Sequence, residues 1–295
     1  MCHLRRFATL AGLCLALLSL TACLTRRRLI TRQGAKPDRT LAAASKEQLL
    51  KRVSDLYAST QSFNATVDLT PAVGSVYKGE ITEYKDVRAY ILFRSPDSIR
   101  IIGQYPVIRG TAFDMTSSGP LFRLYIPSKN RFIEGREDSP LSKTNQLENL
   151  RPEAFLNAML IRPPDPKTEL PALEDFTDES NAFYILHIVG KNPDDSLMIK
   201  RNIWFDRLSL RIVRQEAFDA AGSILSDTRY SDWQSYGGIP FPAGIDINRP
   251  KDGYGVVVRV VKIEMNPKLT DDKFILKQPE GSQLEVLGAP KGDKK

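Results

Sequence analysis

Apolar residues recur along this chain at two spacings, and the two spacings divide it into elements. Leu49, Val53, Leu56 and Tyr57 fall on one side of a 3.6-residue turn. Ser45 and Gln48 stand before them as a capping box, which predicts a helix over 45–59. Directly after it Phe63, Ala65, Val67 and Leu69 alternate with Asn64, Thr66 and Asp68, the period of a strand with one wet face. A break is expected at Pro71 and Gly74, and then short apolar runs follow: Val87–Arg94, Ser98–Gly103, Ile108–Met115, Leu121–Ile126 and Arg131–Glu134. Turn clusters such as Ser95-Pro96-Asp97 and Ser117-Ser118-Gly119-Pro120 separate them. Residues 139–150 are polar and mixed and read as a loose helix. Pro152 opens a second helix to about Ile161, with Phe155, Leu156, Met159 and Leu160 as its apolar side. A Pro- and acid-rich loop is expected to about Asn181. Strands resume as Ala182–Val189, Met198–Asp206, Leu208–Phe218, Ser223–Gln234, Ile239–Asn248 and Tyr254–Met265, with a final short strand around Phe274 and Leu276.

The short connections imply antiparallel neighbours. Several strands are apolar on both faces: Tyr254, Val256, Val258 and Val260 on one side of the last long run, Val257, Val261, Ile263 and Met265 on the other. A sheet wetted on one side alternates more cleanly. About ten strands with two or three helices to cover them either curl round a filled interior or leave an apolar hollow under helical lids; a packed sandwich is the plain alternative. Candidate lining residues of such a hollow are Phe155, Met159, Trp204, Tyr254, Val256 and Val258.

The amino terminus carries a separate signal. Arg5 and Arg6 precede an apolar run from Phe7 to Leu20, the pattern of a secretory signal peptide over residues 1–22. Leu20-Thr21-Ala22-Cys23 resembles the bacterial lipobox. That resemblance implies cleavage before Cys23 and a diacylglycerol plus an N-acyl chain on it, the one covalent addition expected and no other cofactor. Two or more chains hold a protein on a bilayer where one does not. Leu24 after the Cys, where an Asp would favour the inner membrane, points to the periplasmic face of the outer membrane. Residues 23–44 read as lipidated Cys and basic flexible tether, 45–286 as one folded domain, and 287–295 as a disordered tail.

Charge changes the picture only in the tether. The chain is +7 overall, but residues 24–40 hold Arg26, Arg27, Arg28, Arg32, Lys36 and Arg39 against Asp38 alone, and the body beyond them is balanced. Such a surplus suits anionic headgroups and gives no phosphate-binding face for nucleic acid. Cys2 and Cys14 fall in the segment to be removed, so no disulfide is expected within the mature chain. The mature body has one histidine, His187, read as a partnered structural residue. Without a second His or a free Cys, zinc sites and His-based nucleophilic systems lack their parts, and no enzyme is expected.

The finish Asn266-Pro267-Lys268-Leu269 with Phe274 and Gln278-Pro279-Glu280-Gly281 resembles the LolA/LolB lipoprotein-localisation superfamily. Arg94-Ser95-Pro96-Asp97-Ser98-Ile99-Arg100 is similar to an Arg-x-Pro-x-x-x-Arg segment of that group, and Phe218-Asp219-Ala220-Ala221-Gly222 to its turn before the late strands. The resemblance covers residues 45–286. It implies a mainly β (α+β) fold, an unclosed antiparallel β-barrel whose concave apolar face holds acyl chains. A lipid anchor implies the receptor side of such a system, receiving lipoprotein cargo from a periplasmic carrier. It also implies an apolar loop for membrane or cargo, matched here by Tyr105, Pro106, Val107 and Ile108. The chain is longer than a typical receptor of that group, with the extra residues in 135–180. The rival expectations are an anchored scaffold that stabilises an envelope complex and, third, an anchored hydrolase.

Overall fold

The computed structural model describes residues 40–75, 80–84, 86–106, 110–139, 150–192 and 194–287. Cys23, the signal segment, nearly all of the basic tether, the 140–149 stretch and the 288–295 end of the tail lie outside them. The chain is already held at Ala42, whose N–H donates to the Arg207 carbonyl at 2.7 Å. Helix α1 (Lys46–Ser59) then begins on its expected capping box: Ser45 Oγ accepts from the Gln48 N–H and the Gln48 side chain accepts from the Ser45 N–H. On its apolar side Leu49 and Val53 are fully buried, and Leu56 and Tyr57 are partly so.

The strands are β1 (Ser62–Ser75), β2 (Glu80–Glu83), β3 (Val87–Arg94), β4 (Ser98–Gln104), β5 (Thr111–Ser118), β6 (Leu121–Ile126) and β7 (Arg131–Arg136). After helix α2 (Pro152–Met159) come β8 (Glu169–Thr177), β9 (Ala182–Lys191), β10 (Leu197–Asp206), β11 (Ile212–Phe218), β12 (Ile224–Tyr236), β13 (Ile239–Arg249) and β14 (Tyr254–Met265), and finally β15 (Gln283–Val286). All belong to one sheet, ordered β15-β7-β6-β5-β4-β3-β1-β14-β13-β12-β11-β10-β9-β8, with β2 beside β1. Among the described residues nothing pairs β8 with β15, so the sheet is unclosed. Helix α2 packs against the neighbouring strands β4 and β5 and against β13, far from them in that order, so the sheet wraps around it.

The fold is therefore the expected half-barrel, with fifteen strands in place of about ten. The differences have physical reasons: a longer β1 that takes β2 as a second partner, and the added strands β8 and β15. β1 runs straight through Pro71 because it changes neighbour there: it pairs with β3 up to Leu69 and with β2 from Ala72, and the missing N–H falls in the gap. β8 occupies the stretch read as loop; Pro171 and three acids hide its period, and it survives as an edge strand, where both are tolerated. β15 is only four residues and pairs parallel to β7. The expected strand at Phe274 and Leu276 is instead a 3-10 turn, Asp271–Phe274, lying on the sheet's outer face.

That turn explains the Arg-x-Pro-x-x-x-Arg segment. The Arg94 guanidinium donates to the Leu269 carbonyl, pairs with Asp271 at 2.6 Å and lies over the Phe274 ring. Arg100 pairs with Asp114 at 2.7 Å and donates to the Lys273 carbonyl, and Thr116 Oγ1 donates to the Phe274 carbonyl. The two arginines strap the end of the chain across β3–β5 and lead it to the β7 edge. Asn266 starts the strap. It sits at φ 55°, its Oδ1 accepts from the Gln61 and Ser62 N–H groups, and its Nδ2 donates to the Ser59 carbonyl. Asn266→Ala removes these bonds and puts Ala in a left-handed conformation, so it is expected to cost about 2–3 kcal/mol in urea unfolding.

Candidate ligand cleft of the half-barrel

Alternation sends one set of side chains into the hollow of the sheet. Ala65, Val67 and Leu69 of β1, Ile91 and Phe93 of β3, Ile101 of β4, Val258 of β14 and Ile245 of β13 form one buried layer, and their cross-strand registers place them on a common face. Helix α2 fills the middle of that face with Phe155, Leu156, Ala158 and Met159, all buried. Eight residues make no stable helix alone. This one is held at both ends by the sheet: Glu137 Oε1 accepts from the Glu153 N–H at 3.3 Å, Gln215 Nε2 donates to the Asn157 carbonyl and Tyr230 Oη donates to the Ala158 carbonyl. Each bond satisfies a helix-end group that would otherwise be buried without a partner. Where α1 meets the end of α2, a void of about 10 Å³ lies between Leu56, Met159 and Tyr230, at the lower limit for one water.

Burial pushes the Glu137 carboxyl up to about 7; the Ser117 hydroxyl draws it down and the Glu153 carboxylate raises it again. A carboxyl whose folded pKa lies above its unfolded value binds protons preferentially in the native state. Its stabilisation is complete below pH 4.5 and is lost as pH rises to about 7. Urea unfolding of the protein at pH 5 and pH 8 should differ by about 2 kcal/mol from this source, and Glu137→Gln should flatten the difference.

The open space lies where α2 does not reach. A cleft of about 240 Å³ is lined by Pro71, Val87, Phe113, Met115, Leu124 and Ile126, with Tyr84, Ala112, Lys129 and Leu150 completing it. Gly103 shapes its floor: a Cβ there would overlap the Phe113 ring, so only glycine lets that ring lie flat on the sheet. Tyr84 is 43% exposed and Ile81 60% exposed nearby on the β2 side. Of the expected loop, Tyr105 and Pro106 are exposed at the β4–β5 turn that leads into Ala112 and Phe113; Val107 and Ile108 lie outside the described residues.

The candidate lining residues fall elsewhere. Phe155 and Met159 are the plug itself, and Tyr254, Val256 and Val258 face the packed part of the hollow. Burial pushes the Tyr254 hydroxyl up to about 12. Trp204 is a correction. It sits opposite Ile185 and Arg214 on the outer face, stacked edge-on against Phe176 and Phe183, with its Nε1–H on Glu216, because its neighbours Ile203 and Phe205 take the inward positions. Several residues that do line the cleft, Phe113, Met115, Leu124 and Ile126, fell in the apolar runs read as strands, but nothing in the sequence marked them as uncovered. His187 is hydrogen-bonded on both ring nitrogens, to Asn202 and Glu174 at 2.8 Å each, across three strands of the outer face.

Comparison with solved structures places this architecture. A LolA superfamily protein from Nitrosomonas europaea is 17% identical with a TM-score of 0.52, covering 79% of this chain and 99% of that one. A DUF1329 family protein from Desulfovibrio piger is 15% identical with a TM-score of 0.53, covering 77% and 94%. A domain assigned to outer-membrane lipoprotein sorting from Vibrio parahaemolyticus is 13% identical with a TM-score of 0.50, covering 77% and 94%. The fold is LolA/LolB-like. No protein-family model matches the sequence, and no curated protein matches it.

Proposed function

We propose that this protein holds the acyl chain of a lipid or lipoprotein in the half-barrel cleft, while its own acylated Cys23 keeps it on the periplasmic face of the outer membrane. The observation that carries the reading is a cleft walled by apolar side chains on the concave side of a LolA-like sheet. The LolA-like fold supports lipoprotein transport as the setting, and in this reading a periplasmic carrier brings the cargo. Apolar transfer favours a chain in such a cleft at about 0.8 kcal/mol per methylene. Tyr84 and Tyr105 near its mouth have the amphipathic rings that suit a headgroup layer. The protein binds and passes on its ligand without chemical change.

The test uses the whole mature chain with Cys23→Ser, assayed with a fluorescent fatty acid and by mass spectrometry for co-purified lipid. Saturable probe binding is expected. Ala112→Trp, which fills the cleft, should weaken it at least tenfold while leaving the unfolding midpoint within about 1 kcal/mol. Absence of probe binding in the parent, or equal binding in the filled variant, would defeat the reading.

A further inference from the structure

A second recess shares no lining residue with the apolar cleft. A groove of about 440 Å³ runs between α1 and the β10–β11 hairpin, a volume within the usual range of small-ligand sites. Its floor is apolar: Leu56, Phe205, Leu210, Ile212 and Trp233. The floor is also fixed. Phe205 is fully buried, and the Trp233 ring is held by its Nε1–H on the Ile212 carbonyl at 2.9 Å. Leu210 stands in the groove wall at φ 53°, a left-handed conformation unfavourable for a large side chain, locked by its N–H on the Asp206 carbonyl at 2.7 Å.

The rim is positive. Arg52 comes from α1 and Arg211 from the hairpin, with Ser59 and Ser209 beside them. Asp55, which lines the groove, accepts from Lys51 Nζ at 2.7 Å, and the Asp206 carboxylate beside it accepts from the Ser209 N–H and hydroxyl, so both acids are engaged. Arg211 spends one N–H on the Trp233 carbonyl at 2.9 Å and keeps the rest of its fork. No carboxylate among the described residues pairs with Arg52. Two guanidinium groups over an apolar, aromatic floor match a molecule that is charged at one end and oily at the other.

We propose that this groove binds an anionic amphiphile, its carboxylate or phosphate-monoester head between Arg52 and Arg211 and its compact apolar body against Leu210 and Trp233. The site is independent of the acyl-chain cleft and does not rest on that reading. The chemistry fits either a free amphiphile or the headgroup end of an anionic bilayer lipid.

The chain has two tryptophans, so Trp204→Phe leaves Trp233 as the sole indole and as a reporter inside the groove. In the whole mature chain carrying Cys23→Ser and Trp204→Phe, octyl phosphate should shift the Trp233 emission saturably. Octanol, which has the tail alone, and inorganic phosphate, which has the head alone, should each bind at least tenfold more weakly. Arg52→Gln should weaken octyl phosphate several-fold, with Arg52→Lys recovering part of it, and Arg52→Gln with Arg211→Gln should weaken it about tenfold or more. Vesicles of anionic phospholipid that reproduce the shift assign the ligand to the bilayer; a shift with octyl phosphate alone assigns it to a free amphiphile. The proposal is overturned if octanol binds as tightly as octyl phosphate, if Arg52→Gln changes nothing, or if no ligand moves the emission. A fatty acid is itself an anionic amphiphile, so the Ala112→Trp comparison is made in the Arg52→Gln, Arg211→Gln background, while the groove is read from Trp233 emission; either site can then fail alone.

Discussion

Phe155→Ala is expected to destabilise the protein by about 3–5 kcal/mol, the usual cost of deleting a fully buried aromatic ring. The ring is only 2% exposed and belongs to the short helix that fills the middle of the half-barrel. The helix cannot shift to close the gap, because Glu137 holds its first turn and Gln215 and Tyr230 hold its last. Most of the vacated volume should therefore persist as an apolar void, and such voids stay dry and take up small apolar molecules. Two measurements check this together. Urea unfolding reads the loss of stability, and the stoichiometry of a small apolar probe should rise over that of the parent. Phe155→Leu, which keeps most of the volume, should cost about 1–1.5 kcal/mol. A loss below about 1 kcal/mol for Phe155→Ala would mean that the helix is not what fills the sheet.

Cys23→Ser, placed behind an ordinary cleavable signal, is expected to move the protein wholly from the membrane fraction to the soluble one. Each buried methylene contributes about 0.8 kcal/mol, so three acyl chains make release negligible, whereas the basic tether alone offers about 1 kcal/mol per cation near an anionic surface. The tether contribution is screened within about 10 Å at 0.1 M salt, so the variant should leave membranes completely as salt is raised. Palmitate labelling should be lost in the same variant. Among the described residues no helix is long and apolar enough to cross a membrane, so no described helix offers an alternative anchor. Retention of the unlabelled variant on membranes at high salt would show that something other than Cys23 holds it.

Helix α1 and most strands were legible because each carries its own local signal: a capping box in the first case, alternation in 63–69 and short apolar runs bounded by turn residues in the others. What stayed hidden depends on neighbours. Pro71 looks like a strand end until it is clear that β1 changes partner there. β8 looks like loop because edge strands tolerate Pro and charge. Trp204 looked inward-facing because an apolar strand with two buried faces gives no parity of its own; only the register against Ile185 settled its side. The same holds for the cleft. Residues 111–126 announced a strand pair, but which part of the hollow α2 leaves open follows from hydrogen bonds at Glu137, Gln215 and Tyr230 that no local pattern encodes.

The seam between β1 and β14 has a consequence for how the chain reaches its destination. Phe63 is paired with Met265, about two hundred residues downstream. The central strand of the sheet therefore has one of its two principal neighbours only when synthesis is nearly finished, and closing so long a loop makes folding slow. If the proposed address in the envelope holds, that delay keeps the chain unfolded, and so translocatable, until almost its last strand has emerged.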